Sequence, residues 1–205
     1  LNPGVELPDQ AIHVVHRTES SGTTYVFTDW LSKVSPAWAR QIGRTKDPSF
    51  PVGIGGTGSE GVTRVVKQTP GAIGYVELNY ATTNHLPVAL LKNPAGNFVA
   101  PSLETVQAAT EGVTLPPDYR GSITNADGPD AYPIATFTFL LINKHYDSCT
   151  KARVILHVLW WAYHSEEARA EAHNLSYVTL PQKLQARVDA TLHSITCDDG
   201  EKVLG

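Results

Sequence analysis

The chain has 205 residues, 41% of them apolar and 18% charged, with a formal net charge of −4 at pH 7. That balance describes a globular chain long enough to bury a core and excludes a disordered polyelectrolyte. With no basic surplus to neutralise a nucleic-acid backbone, nucleic acid is not an expected partner, and any anion must be held by local hydrogen bonds and helix ends.

No apolar run reaches membrane-spanning length. The chain opens on Leu1-Asn2-Pro3-Gly4 without a secretory signal and contains no Met, so the expectation is that these residues are the remainder of a longer polypeptide. Ala11–Val15 reads as a short strand and Ser21–Val34 as a helix, with Phe27, Leu31 and Val34 on one face. Thr23, Thr24, Thr28 and Asp29 are weak helix formers crowded toward its start, where capping groups belong. Pro51–Ile54 reads as a strand, Gly55–Gly58 as a loop and Glu60–Lys67 as a helix ending before Pro70-Gly71. Ala72–Val76 follows as a strand and Leu78–Thr83 as a short helix.

From Pro87 to Asp130 the chain is loop-rich, with one helical stretch near Leu103–Ala109. Tyr132–Ile142 is β-branched and aromatic and reads as the longest strand. The remainder is helical. Thr150 is the expected cap of a helix that carries Ile155, Leu159 and Tyr163 on one face and runs to about His164. Glu166–His173 and Pro181–Ile195 follow, the latter with Pro in its first turn. Strands alternating with helices predict an α/β fold, and the composition change near Asp130 predicts a lobe boundary there.

Cys149 and Cys197 bracket the C-terminal helices, and the favoured reading is a disulfide in an exported protein, with two unrelated buried thiols as the alternative. The eight His residues are scattered with no CxxC or HxxxH pairing, so no metal and no cofactor is expected. Gly53-Ile-Gly-Gly-Thr-Gly58 lacks the spacing and the Lys of a nucleotide phosphate loop. Trp30, Trp38, Trp160 and Trp161 lie in or near helices and read as core.

Chemistry concentrates in Val14-Val-His-Arg-Thr-Glu-Ser-Ser-Gly-Thr-Thr24, a strand, a turn and a helix start. The first amides of a helix have no intrahelical acceptor, and the helix dipole favours negative charge beside them. Ser21 and Thr23 add hydroxyls, Gly22 lets a ligand approach the backbone, and Arg17 brings a planar fork suited to phosphate oxygens. Glu19 is expected to grip that guanidinium from behind. An ordinary capped helix with an exposed Arg–Glu pair is the alternative. A phosphate-ester hydrolase or phosphotransferase with Ser21 as nucleophile is a second alternative, with His16 as a base toward Ser20 or Ser21, although no acidic group is evident to orient His16.

Arg17-Thr-Glu-Ser-Ser-Gly-Thr-Thr24 resembles the signature of the phosphate-binding proteins that feed ABC phosphate importers. The resemblance continues through Pro51–Gly61, Gln68–Glu77, Tyr132–Leu141 and Leu159–Tyr163, in the family's order over nearly the whole chain. It implies that Arg17, Ser21, Gly22 and Thr23 are phosphate ligands. It also implies that Glu19 stands where the family has an Asp paired with the arginine, and that Ser20 replaces a common Gly in the supporting turn. The implied fold is a two-lobed, periplasmic-binding-protein type II (Venus-flytrap) α/β clamp. Residues 1–130 would belong to the second lobe, and residues 131–205 would supply a returning strand and C-terminal helices to the first.

Nothing in the chain matches the family's N-terminal stretch, which builds most of the first lobe and supplies the other ligands, among them a carboxylate that accepts the phosphate proton. The expectation is therefore weak binding and poor discrimination by this chain alone. The implied partners are inorganic phosphate, an ABC transporter permease and that N-terminal lobe segment, in the same or another chain. The implied location is extracytoplasmic, with no enzymatic chemistry. A scavenging module that kept the fold and lost transport is a further alternative.

Overall fold

Val14, Val15 and their neighbours build the middle of a sheet because strands that arrive later in the chain flank them on both sides. The computed structural model describes residues 2–198 and 200–204. Its contacts divide the chain into two compact units, Leu1–Ala89 and Leu90–Gly205.

The first unit runs β1 (His13–Arg17), α1 (Gly22–Val34), α2 (Pro36–Gln41), β2 (Ile54–Gly56), α3 (Gly58–Gln68), β3 (Ala72–Gly74) and α4 (Leu78–Thr83). The three strands form a parallel sheet in the order β2-β1-β3, with Val15 opposite both Ile54 and Gly74. Parallel neighbours require a crossover, and here helices provide it. All three carboxyl ends reach one edge, and the chain passes from one side of β1 to the other, the place where open α/β sheets bind ligands.

Val15 and Val62, both 0% exposed, form the centre of this unit. A Cβ on Gly56 would lie 2.6 Å from the Val62 amide nitrogen and 2.8 Å from the Gly61 carbonyl carbon. The end of β2 therefore meets the first turn of α3 backbone to backbone, which fixes where that helix starts.

The buried face of α1 differs from the expected one. Thr24, Thr28 and Asp29 are inside, whereas Val34 is 45% exposed. Small hydroxyls win those positions because each is satisfied there. Thr28 Oγ1 donates to the Thr45 carbonyl at 2.7 Å and accepts the Thr45 N–H at 3.0 Å, so its burial costs little. Asp29 pairs with Lys33 and Arg44. Phe27 stacks on Tyr75 with ring centroids 4.4 Å apart.

The second unit comprises β4 (Leu91–Lys92), β5 (Phe98–Val99), α5 (Leu103–Thr110), β6 (His145–Tyr146), α6 (Cys149–His164), α7 (Glu166–Asn174), α8 (Gln182–Leu192), β7 (Thr196–Cys197) and β8 (Glu201–Lys202). Strands β4 and β5 form an antiparallel pair, and β6-β7-β8 a small mixed sheet. One buried cluster gathers Ala109, Ile123, Ala131 and Ala135. The other gathers Ala152, Leu156, Leu192 and Ile195, with Ile155, Leu159 and Tyr163 packed beside them as the periodicity of α6 predicts. Arg187 joins α8 to the loop that follows α5 by donating to the Leu115 and Pro116 carbonyls. Cys149 and Cys197 form a disulfide across 48 residues. They also make up, with Glu201, the one group with metal-ligand proximity among the described residues, and their sulfurs are bonded to each other.

Several expectations fail here. Tyr132–Ile142 forms no strand: no ladder includes it, and Phe139, Leu140 and Leu141 are 50%, 59% and 99% exposed. Its composition suits a sheet, but a strand exists only through hydrogen bonds to a neighbour, and among the described residues no strand pairs with it. The compact units divide at residue 89/90, a separate matter from the lobe boundary expected near Asp130. The chain around Asp130 packs within the second unit, where Ala131 is fully buried and the Tyr132 N–H donates to the Thr105 carbonyl. Ser148, not Thr150, caps α6, because its hydroxyl reaches the Lys151 N–H. Pro181 sits at the cap of α8 rather than inside its first turn. Trp161 is 51% exposed, while the other tryptophans are half-buried. Among the described residues, no helix is long and apolar enough to cross a membrane.

Candidate functional site

At the carboxyl end of β1 the chain leaves the sheet through Arg17, turns over Thr18–Ser20 and enters α1. Ser21 is the N-cap, with its hydroxyl oxygen accepting the Thr24 N–H at 3.3 Å. Its own N–H donates to the Lys46 carbonyl. The amides of Gly22 and Thr23 have no acceptor among the described residues, as expected of the first two helical positions. A Cβ on Gly22 would meet nothing within 4 Å. Internal packing therefore does not ask for glycine here, and the space above these amides is open.

The Arg17 side chain is 14% exposed and held on two edges. Nε donates to Glu19 Oε1 at 2.6 Å, Nη2 pairs with the same carboxylate, and Nη1 donates to Ser59 Oγ at 3.1 Å. One N–H on each terminal nitrogen remains for a further acceptor. Glu19 in turn accepts the Gly58 N–H, at 3.2 and 3.3 Å to its two oxygens. This supplies the α3 start with the cap that the Thr57 side chain does not make. A carboxylate at a helix N-terminus is stabilised by the helix dipole, so Glu19 serves the arginine and α3 together.

The hydrogen bond from Arg17 is the largest cause holding the Glu19 carboxyl down from an ordinary 4.5 to about 2; its own backbone and the Gly58 amide assist, and partial burial opposes. A folded-state value below the unfolded one means that the ionised form contributes stability fully present above about pH 4.5 and lost as pH falls toward about 2. An NMR titration of the Glu19 carboxyl is expected to find its midpoint near that low value and to return it to the ordinary range in Arg17→Ala.

A second network stitches the site to the sheet. Tyr75 OH accepts the Arg17 N–H at 3.4 Å and lies 2.7 Å from Thr24 Oγ1. The Thr23 hydroxyl donates to Glu77 Oε1 at 3.0 Å. Ser59, Gly58, Tyr75 and Glu77 bond to the candidate residues, and reading the sequence missed those partners. The available signal was a glycine run directly ahead of a helix, which placed a second helix N-terminus after β2. Ser20 is exposed and its side chain makes no hydrogen bond to Arg17 or Glu19. His16 is not positioned as a base toward Ser21: its Nδ1 lies 3.0 Å from the Arg17 carbonyl and its ring stacks on Phe50. Two cavities, of about 690 and 360 Å³, lie between α3 and α4 and beside Gly112. Neither is lined by Arg17.

A parallel sheet that presents an arginine and an open helix N-terminus at its carboxyl edge belongs to the class of α/β binding lobes. The profile of the PBP superfamily domain matches residues 5–154, and the chain belongs to that superfamily. It is similar to the phosphate-binding protein PstS of Xylella fastidiosa, at 39% identity over 191 residues, covering 92% of this chain and 52% of that protein. The PstS of Methanocaldococcus jannaschii is also 39% identical, over 202 residues, with 89% of this chain and 51% of that protein covered. Among solved structures, a DING protein matches with a TM-score of 0.69 and 25% identity, over 88% of this chain and 58% of that one. The periplasmic phosphate-binding protein PfluDING, bound with phosphate, matches with a TM-score of 0.66 and 24% identity, over 88% and 57%. The chain thus spans about half the length of the curated relatives it matches.

Proposed function

We propose that this chain carries one lobe's share of a phosphate site and works in capturing inorganic phosphate for an ABC transporter permease, with no chemistry performed on the ligand. The observation that carries the reading is the arrangement of donors at the end of β1. Arg17, fixed by Glu19 and Ser59, retains unused N–H groups immediately ahead of α1, whose Gly22 and Thr23 amides are free. Charge-assisted bonds are each worth about 1.5–3 kcal/mol, so a few of them hold a dehydrated oxyanion. Arg17, Ser21, Gly22 and Thr23 are the proposed ligands, and the names of the relatives support phosphate as the anion.

The remaining ligands of a two-lobed clamp would come from polypeptide outside these residues, in the same or another chain. On this reading residues 1–130 belong to the second lobe and residues 131–205 return to the first. The two separate buried clusters of the second unit, one on either side of the Phe139–Leu141 stretch, are compatible with that division. An extracytoplasmic location is supported by the disulfide, since such bonds persist in oxidising compartments.

Gly22→Ala tests the site without disturbing the fold. The added methyl meets no protein atom, so stability is expected to stay level or rise by up to about 1 kcal/mol. Affinity for phosphate in a calorimetric titration is expected to fall at least about tenfold, because the methyl stands over the free amides. Unchanged affinity would remove the helix start from the site.

A further inference from the structure

We propose that the cavity between α3 and α4 is a binding site for a small organic anion that carries a hydroxyl beside its carboxylates, a hydroxy acid. The cavity has a volume of about 690 Å³, within the range of small-molecule sites. None of the proposed phosphate ligands lines it, so it is separate from the face at Arg17.

Two of its lining residues bury a polar atom that no protein group satisfies among the described residues. Thr63 is 4% exposed, and its hydroxyl oxygen has no hydrogen-bond partner. Asn79 Oδ1, from α4, is buried in the same condition. Leaving such an atom without a partner costs free energy, and folded interiors rarely do so. Here both residues line one cavity, where a single ligand can serve them together. The cavity is also cationic. Arg64 and Lys67, a turn apart on α3, stand against the single carboxylate of Glu60. Lys67 Nζ donates to Asn84 Oδ1 at 3.3 Å, and among the described residues neither cation forms an ion pair.

These groups specify what they would hold. Two cations call for negative charge, and the Thr63 O–H calls for an acceptor; a carboxylate supplies both. Asn79 Oδ1 can only accept, so the ligand must bring a donor as well. A simple dicarboxylate has none near neutral pH, whereas a hydroxyl on its carbon frame provides one.

The test is calorimetric titration of the full chain with L-malate and, separately, with succinate, two dicarboxylates that differ by one hydroxyl. Wild type is expected to bind L-malate at least about tenfold more tightly than succinate. Asn79→Ala is expected to bring L-malate down to the succinate level and to leave succinate unchanged. Arg64→Ala and Thr63→Val are each expected to weaken both acids about tenfold. Arg64 is exposed, so its truncation spares the fold. Thr63→Val deletes a hydroxyl that bonds nothing, so the urea midpoint is expected to stay level or rise. Arg17→Ala is expected to leave L-malate binding as it was. Absence of heat with both acids, as a cavity that holds only water would give, overturns the inference. So does equal affinity for the two acids in wild type, or L-malate binding that survives Arg64→Ala and Thr63→Val. Loss of L-malate binding in Arg17→Ala would place the acid at the other site and overturn it too. The phosphate reading stands or falls separately, on titration with inorganic phosphate.

Discussion

Arg17→Ala is expected to lower the affinity for inorganic phosphate by at least about a hundredfold, read by calorimetry against the wild-type chain. The substitution removes charge-assisted donors to the ligand and also leaves Glu19 facing the site without the guanidinium that Nε and Nη2 now hold against it. Loss of donors and gain of an uncompensated carboxylate act in the same direction. Arg17→Lys is expected to recover little of the loss. A lysine ammonium is a single point of charge on a flexible stem and cannot hold Glu19, Ser59 and an oxyanion on separate edges of one plane. Folding is a separate matter, because Glu19 keeps its bonds to the Gly58 amide at the start of α3. Equal affinity of wild type and Arg17→Ala would sink the proposed site.

The second large effect is on stability. Reducing the disulfide, or replacing Cys149 and Cys197 together with serine, frees a loop spanning 48 residues that contains all of α6, α7 and α8. In the chain-entropy account, closing a loop of that length restricts the unfolded state by about 4 kcal/mol. The sulfur pair also sits at the edge of the buried cluster built from Leu156, Leu192 and Ile195, where Cys197 is 1% exposed. A hydroxyl placed there loses apolar contact and needs a partner. The midpoint of urea unfolding monitored in the second unit is expected to drop accordingly, whereas phosphate titration of the folded protein should be unaltered, since every proposed ligand lies before residue 90. A midpoint unchanged by reduction would show that the bridge constrains nothing.

The local part of the site was legible because its signals are local. A short apolar strand, a turn of small hydroxyl residues and a capping Ser announce themselves within a dozen residues, and α1, α3 and α4 formed close to where periodicity and punctuation put them. Arg17 and Glu19 are two residues apart, so their pairing needed no knowledge of the fold. Ser59 and Glu77 are different. They reach Arg17 and Thr23 across 42 and 54 residues, and only the parallel sheet, by bringing the ends of β1, β2 and β3 to one edge, makes them neighbours.

The same distinction separates Tyr132–Ile142 from the helices. A helix closes its hydrogen bonds within its own segment, so sequence pattern and caps are enough to specify it. A strand borrows its partner from elsewhere, and β-branched residues cannot supply one. By itself, then, the sequence determined the helices other than α2, the cysteine pair and the donor-rich turn after Arg17. Tertiary structure alone decided that Tyr132–Ile142 joined no sheet, where the two units divide, and which distant carboxylate and hydroxyl stand beside the turn, because each of those depends on contacts between segments far apart in the chain.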